Sequence, residues 1–209
     1  MTFCLAVLLL MPDDLPVSLS EPEPEVAPLA SPDASFVRVR GGLWSSRQFH
    51  FEATTTASTG ISSKQETLGS AGIDLGPAIL GDRVVFFGSV EGAFGNRIRM
   101  EDVGLCVGFR DWADPGATAG VPQEAMIYAG PIYGKFDVTT PGFVDFDKAW
   151  GARAGINFTW LLTRAIGIDL TAEYRYIKFE VREKSEIASG NTKVGGSGLW
   201  AGLGLDLRF

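Results

Sequence analysis

The stretch Ser197–Phe209, SGLWAGLGLDLRF, sorts by parity. Its odd positions are Leu199, Ala201, Leu203, Leu205, Leu207 and Phe209, and its even positions are Trp200, Gly202, Gly204, Asp206 and Arg208. A helix of period 3.6 cannot separate residues that way, whereas a strand places successive side chains on opposite faces. The same sorting recurs upstream. In 37–46, Val37, Val39 and Leu43 oppose Arg38, Arg40 and Trp44. In 67–76, Ala71, Ile73 and Leu75 oppose Ser70, Gly72 and Asp74. In 83–94, Val84, Phe86, Val90 and Phe94 oppose Arg83, Ser89, Glu91 and Ala93. In 102–110, Val103, Leu105, Val107 and Phe109 oppose Asp102, Cys106 and Arg110.

Three further segments complete the set. In 125–138 the apolar phase reads Met126, Tyr128, Ile132, Phe136 and Val138, against Ala129, Tyr133, Lys135 and Asp137. In 150–160, Trp150, Ala152, Ala154, Ile156, Phe158 and Trp160 oppose Gly151, Arg153, Gly155 and Asn157. In 165–176, Ile166, Ile168, Leu170, Ala172, Tyr174 and Tyr176 oppose Asp169, Thr171, Glu173 and Arg175. Eight strands are therefore predicted, most of the length that a tilted strand needs to cross a bilayer. The phase breaks after Tyr176, where Ile177, Phe179 and Val181 change sides, so a bulge or a strand end beyond the membrane is expected there.

Composition narrows the class. No run of 18 apolar residues occurs, which excludes a membrane-spanning helix. The single His, His50, excludes a multi-histidine metal site within one chain, and two Cys exclude a disulfide scaffold. No metal or other cofactor is expected. The net charge is −7, but residues 1–35 carry six acids and no Lys or Arg, so the remainder carries −1. Such a body has no basic field for nucleic acid. Residues 1–20 read as a signal-peptide-like leader around the apolar run FCLAVLLLM. Residues 21–35, EPEPEVAPLASPDAS, read as an acidic, Pro-rich tether, and 36–209 as the barrel domain.

Alternation alone does not say which face is outside. A soluble lipocalin-type barrel buries its apolar face, and an outer-membrane barrel exposes it. Three features favour the second. The polar phase is rich in Gly, Arg and Asp, with Lys135 its one Lys, and the planar Arg fork suits enclosed ion pairs. That phase is nearly neutral: Arg38, Arg40, Arg83, Arg110, Lys135, Arg153, Arg175 and Arg208 stand against Asp74, Glu91, Asp102, Asp137, Asp169, Glu173 and Asp206. Near-neutrality fits a confined network, where an unpaired charge is costly. Finally, aromatics mark the strand ends on the apolar phase, at Trp150, Trp160, Tyr174, Tyr176, Tyr128, Phe94, Phe109 and Phe209. Rings at both edges of an apolar band are expected interfacial girdles.

The connections agree with periplasmic termini. Long polar segments are expected at 53–66, 139–148 and 182–195, and short ones at 77–82 and 161–164; the long 111–123 is the exception.

The pattern resembles the eight-stranded outer-membrane β-barrel proteins, the OmpA- and OmpX-like group, over residues 36–209. Its most specific element is the terminal strand, with Leu203, Leu205, Leu207 and the final Phe209 at every second place. The resemblance implies that this strand is the signal read by the barrel-assembly machinery, in the bacterial outer membrane. It implies an all-β, antiparallel, up-and-down transmembrane barrel with its apolar face outward.

The candidate interior network comprises Arg38, Arg40, Glu91, Arg110, Lys135, Arg153, Glu173, Arg175, Asp206 and Arg208. In a lumen of eight strands these side chains either plug the space or line a narrow path for ions or water. Inward glycines such as Gly42, Gly104, Gly202 and Gly204 serve both readings, by admitting water or by making room for Trp44, Trp200 and the Arg side chains. His50, with Glu52, Ser45 and Ser46 nearby, leaves a lipid-hydrolase reading open, although catalysis is not expected. Cys106 is expected as a small filler. The expected partners are outer-membrane lipid and, through Arg97, Arg99, Arg182, Lys184 and Lys193, lipopolysaccharide phosphates; a monomer is expected.

Overall fold

The structure, a computed structural model, describes residues 35–54, 59–80, 83–95, 98–112, 121–138, 146–181 and 193–209. The predicted leader at 1–20 and the tether at 21–35, Ser35 apart, lie outside the described residues, as do most of the segments joining the strands.

Period-two patterning yields strands throughout. They are β1 (Phe36–Thr54), β2 (Thr59–Gly76), β3 (Ala78–Leu80), β4 (Val84–Phe94), β5 (Ile98–Trp112), β6 (Glu124–Val138), β7 (Phe146–Leu161), β8 (Ile166–Val181) and β9 (Lys193–Arg208). Pro77 cannot donate to a ladder, and β2 is interrupted there. β3 prolongs β2 beyond it and pairs with the start of β4. The long strands thus make eight staves, each antiparallel to its neighbours.

The sheet closes on itself. β1 pairs with β2 on one side and with β9 on the other, and β2 pairs with β4. Ser35 and Phe209 exchange a pair of backbone hydrogen bonds, both 3.1 Å, so the chain's last residue is sewn to the first strand. The strands are tilted. Followed from Arg38, the ladder runs through Asp74, Ser89, Gly104, Ile132, Gly151, Ile177 and Gly196, and Gly196 sits beside the Ser46–His50 bulge rather than beside Arg38. A stagger of this kind lets eight strands enclose a packed interior.

Exposure follows the alternation and points it outward. Leu43, Leu75, Val90, Leu105, Leu199, Leu203 and Leu205 are all exposed, while Arg38, Arg40, Arg153 and Arg175 are at most 3% exposed. A soluble barrel requires the opposite, and an exposed apolar surface this continuous is a liability in water.

Four details differ from the sequence reading. The first connection is not a 53–66 loop, because β1 runs to Thr54 and β2 begins at Thr59. Of the two expectations after Tyr176, a bulge in β8 is not found: its register with β9 is unbroken from Ile166 to Phe179, Ile177 turns inward while Lys178 faces out, and the irregularity lies in β7, between Phe146 and Lys148 opposite Val181 and Glu180. Arg83 is exposed beside the strand end, its carbonyl accepting from the Arg110 N–H at 2.8 Å. In β6 the phase is reversed. Glu124, Met126, Tyr128 and Ile132 face the lumen, and Ile127, Ala129, Tyr133 and Lys135 face outward. Apolar residues occupy both phases of AMIYAGPIYGK, so parity there does not choose a face. The choice falls to partners, since the Tyr128 hydroxyl finds a carboxylate inside and the Lys135 ammonium finds solvent outside.

Candidate functional site

The barrel interior holds a connected set of charges. At its centre Glu91 and Glu173 face Arg40 and Arg175. Arg175 donates from Nη1 and Nη2 to Glu91 at 2.6 and 2.8 Å, a bidentate fork, and from Nε to Glu173 Oε1 at 2.5 Å. Arg40 bridges the same two acids, from Nη2 to Glu91 at 2.7 Å and from Nη1 to Glu173 at 3.0 Å. Glu173 also accepts the Tyr128 hydroxyl at 2.5 Å. Arg153 lies beside them, donating to Ser89 Oγ at 2.5 Å and to Cys106 Sγ at 3.1 Å.

A second cluster lies toward the termini. Arg38 sits among Asp169 at 3.1 Å and Asp74 and Asp206, both at 3.8 Å. Asn157 and Thr171 donate to Asp169 Oδ1 at 3.0 and 3.1 Å. Nearer the mouth, Arg208 pairs with Glu124 at 3.0 Å and with Asp206 at 2.9 Å, with its guanidinium 4.9 Å from the Trp112 ring centre. Buried ions are tolerated when an opposite charge offsets their desolvation, and each of these has one within 4 Å, although Arg38 Nε and Nη2 and Arg208 Nε find no hydrogen-bond partner among the described residues.

Indoles cover the central cluster. Trp44 and Trp200 are register partners across β1 and β9, and both are essentially unexposed. Arg40 and Arg175 stand 4.9 and 5.2 Å from the Trp200 ring centre, a cation–π arrangement, and the indole N–H donates to Ser70 Oγ at 2.5 Å. Inward glycines make this packing possible. A Cβ on Gly42 would lie 2.6 Å from the Trp200 ring, and one on Gly204 would lie 2.5 Å from the Asp169 carboxylate. The glycines therefore make room for large side chains, one of the two readings that the sequence left open. An apolar cluster of Phe36, Val85, Phe87, Cys106, Met126 and Tyr128 fills the rest of that side.

Of the ten candidate interior residues, nine point into the lumen and are buried: Arg38, Arg40, Glu91, Arg110, Arg153, Glu173, Arg175, Asp206 and Arg208. Lys135 does not join them; it is exposed on the outer wall because of the β6 phase. Leu203, Leu205, Leu207 and Phe209 all face outward. Tyr128 and Glu124 are interior residues that parity missed. The carboxylate of Glu124, on the same phase as Tyr128, is the sequence signal that favours the observed face.

The backbone of His50 lies in β1, but its side chain lies outside the described set, as do Arg97, Arg182 and Lys184 and the side chain of Lys193. Among the described residues no group of three or more His, Cys, Asp or Glu is arranged to hold a metal ion.

No family model matches the chain, and no curated protein matches it. Similar solved structures include Neisserial surface protein A, 16% identical with a TM-score of 0.46, covering 84% of this chain and 97% of that one. They also include the outer membrane protein OprG from Pseudomonas aeruginosa, 13% identical with a TM-score of 0.47, covering 85% and 97%. The chain has the architecture of an eight-stranded outer-membrane barrel. Its wall carries Tyr133, Trp150 and Tyr176 toward one rim and Phe109 and Phe209 toward the other, each about half exposed or more. Tyr128 does not belong to that girdle, since it is buried.

Proposed function

We propose that this protein is a small integral outer-membrane barrel whose lumen is closed by its own ion-pair core, and that its role is structural or exercised through surface contacts. One observation carries this reading: Arg40, Arg175, Glu91 and Glu173 bind one another in a closed set of ion pairs beneath Trp44 and Trp200. A conducting path needs ligands that exchange with a passing ion. Here each carboxylate is engaged by two guanidinium groups, so an ion entering the lumen must break several charge-assisted bonds at once.

The pore reading retains one supporting observation. Asp102 is buried and its Oδ2 has no hydrogen-bond partner among the described residues, and bound water would satisfy such an atom. A chain of waters past Asp102 is the route toward permeation that this reading requires.

The deciding experiment is single-channel recording in planar bilayers, on refolded protein shown to be folded by heat-dependent gel mobility. A silent bilayer is the expected result. Reproducible current steps that change in Arg153→Ala would overturn the closed-lumen reading in favour of a pore.

A further inference from the structure

The outer wall is not uniformly convex. A groove of about 790 Å³ runs along it, from Val39 and Ile73 to Lys135. Its origin lies in one row of the ladder. Ala71 of β2 pairs with Gly92 of β4, Gly92 with Glu101 of β5, and Glu101 with Lys135 of β6. The row begins with two of the smallest side chains, set side by side on the outer face. Taller residues flank it: Val90, Val103, Phe94 and Tyr133. The Phe94 ring lies down over Gly92, where a Cβ would meet it at 2.9 Å, so the depression has an aromatic wall.

The groove is apolar along its length and charged at one end. Arg99 and Glu101 form an exposed ion pair at 2.8 Å, and the Arg99 guanidinium sits 5.4 Å from the Phe94 ring centre. Lys135 is exposed in the same row and has no ion-pair partner among the described residues. This charged end lies just beyond Tyr133 of the aromatic girdle, on the rim opposite the chain's termini. An ammonium at that height meets lipid headgroups rather than acyl chains.

We infer that this groove binds one acyl chain of a phosphorylated outer-leaflet lipid, the lipid A portion of lipopolysaccharide, with the phosphate on Lys135. The inference rests on the membrane-barrel reading and adds a specific ligand to it. The match is one of charge and shape. A saturated chain fills the trough over Ala71 alongside the Phe94 ring, and an anionic group neutralises Lys135, which has no ion-pair partner among the described residues. Lipids without net charge gain only the trough, and lipids held around the barrel at large gain neither.

The test is native mass spectrometry of the full chain, refolded in detergent and given equal amounts of lipid A, phosphatidylglycerol and phosphatidylcholine. The expected result is one retained lipid A molecule on the wild type. Lys135→Gln should lower retention about five-fold, the effect of one surface cation on an anionic lipid. Ala71→Leu, which fills the floor from the lipid side and leaves the interior untouched, should lower it as much. Gel mobility before and after heating separates the two levels of failure. A chain that never forms a heat-modifiable barrel fails the membrane reading itself. A folded barrel that retains all three lipids alike, or prefers phosphatidylglycerol, overturns the lipid A site, as does full retention in both variants.

Discussion

Glu173 shows how single residues specify the interior. Its carboxylate accepts from Arg40, Tyr128 and its own strand's Arg175, so two strands besides its own meet at one side chain. Removing one partner from such a set leaves the other charges buried and uncompensated. Arg175→Leu should therefore destabilise the barrel by about 3–5 kcal/mol. Arg175→Lys should recover only part of this, because an ammonium cannot reproduce the fork across Glu91. Tyr128→Phe is the milder change: Glu173 keeps both guanidinium partners, and the loss should be about 1–2 kcal/mol. Urea unfolding in lipid vesicles, followed by gel mobility, measures all three. Equal stability of Arg175→Leu and wild type would show that the cluster is not a structural core.

Strands raise a different question, because each must commit every side chain to one face. In β9 the commitment is legible in sequence: Leu203, Leu205 and Leu207 alternate with Gly204, Asp206 and Arg208, and the structure turns them as the parity requires. β6 is the opposite case. Its central Gly130 and Pro131 separate two apolar runs, and both phases hold rings. Local chemistry there discriminates only through Glu124, whose carboxylate shares the phase of Tyr128; the Glu173 carboxylate, 45 residues beyond Tyr128, completes the choice. A one-residue difference in phase exchanges every contact of a strand, which makes the face directly measurable. In a Cys4→Ala, Cys106→Ala background, Lys135→Cys should react with a water-soluble maleimide and Met126→Cys should not. The reverse pattern would restore the sequence-based phase. The overlong strands were illegible for a related reason. Residues 46–54 and 59–66 lack clean alternation, yet β1 and β2 continue pairing through them. Backbone hydrogen bonds propagate a hairpin where side chains no longer need to face lipid on one side only.

For the whole molecule, apolar and charged surfaces are exchanged relative to a soluble protein, and the exchange makes the lumen the structural core. What fills that core was only partly legible. The charge balance of the inward phase announced an ion-pair network, but parity could not say whether its glycines left space or surrendered it. The geometry answers at Trp200: the indole occupies the volume over Gly42 and Gly202, where a Cβ would lie 2.6 and 2.4 Å from the ring. Trp44 and Trp200 are thus the largest side chains closing the passage above Arg40 and Arg175. Replacing both with Ala removes that cover and leaves small residues around it. The double variant Trp44→Ala, Trp200→Ala should still fold, because the guanidinium–carboxylate bonds below the indoles remain. If the indoles alone seal the lumen, it should pass measurable current in a planar bilayer where the wild type is silent. If the variant stays silent while folded, the Arg40, Arg175, Glu91 and Glu173 cluster is itself the seal, and adding Arg175→Ala to it is then the change that should open the barrel.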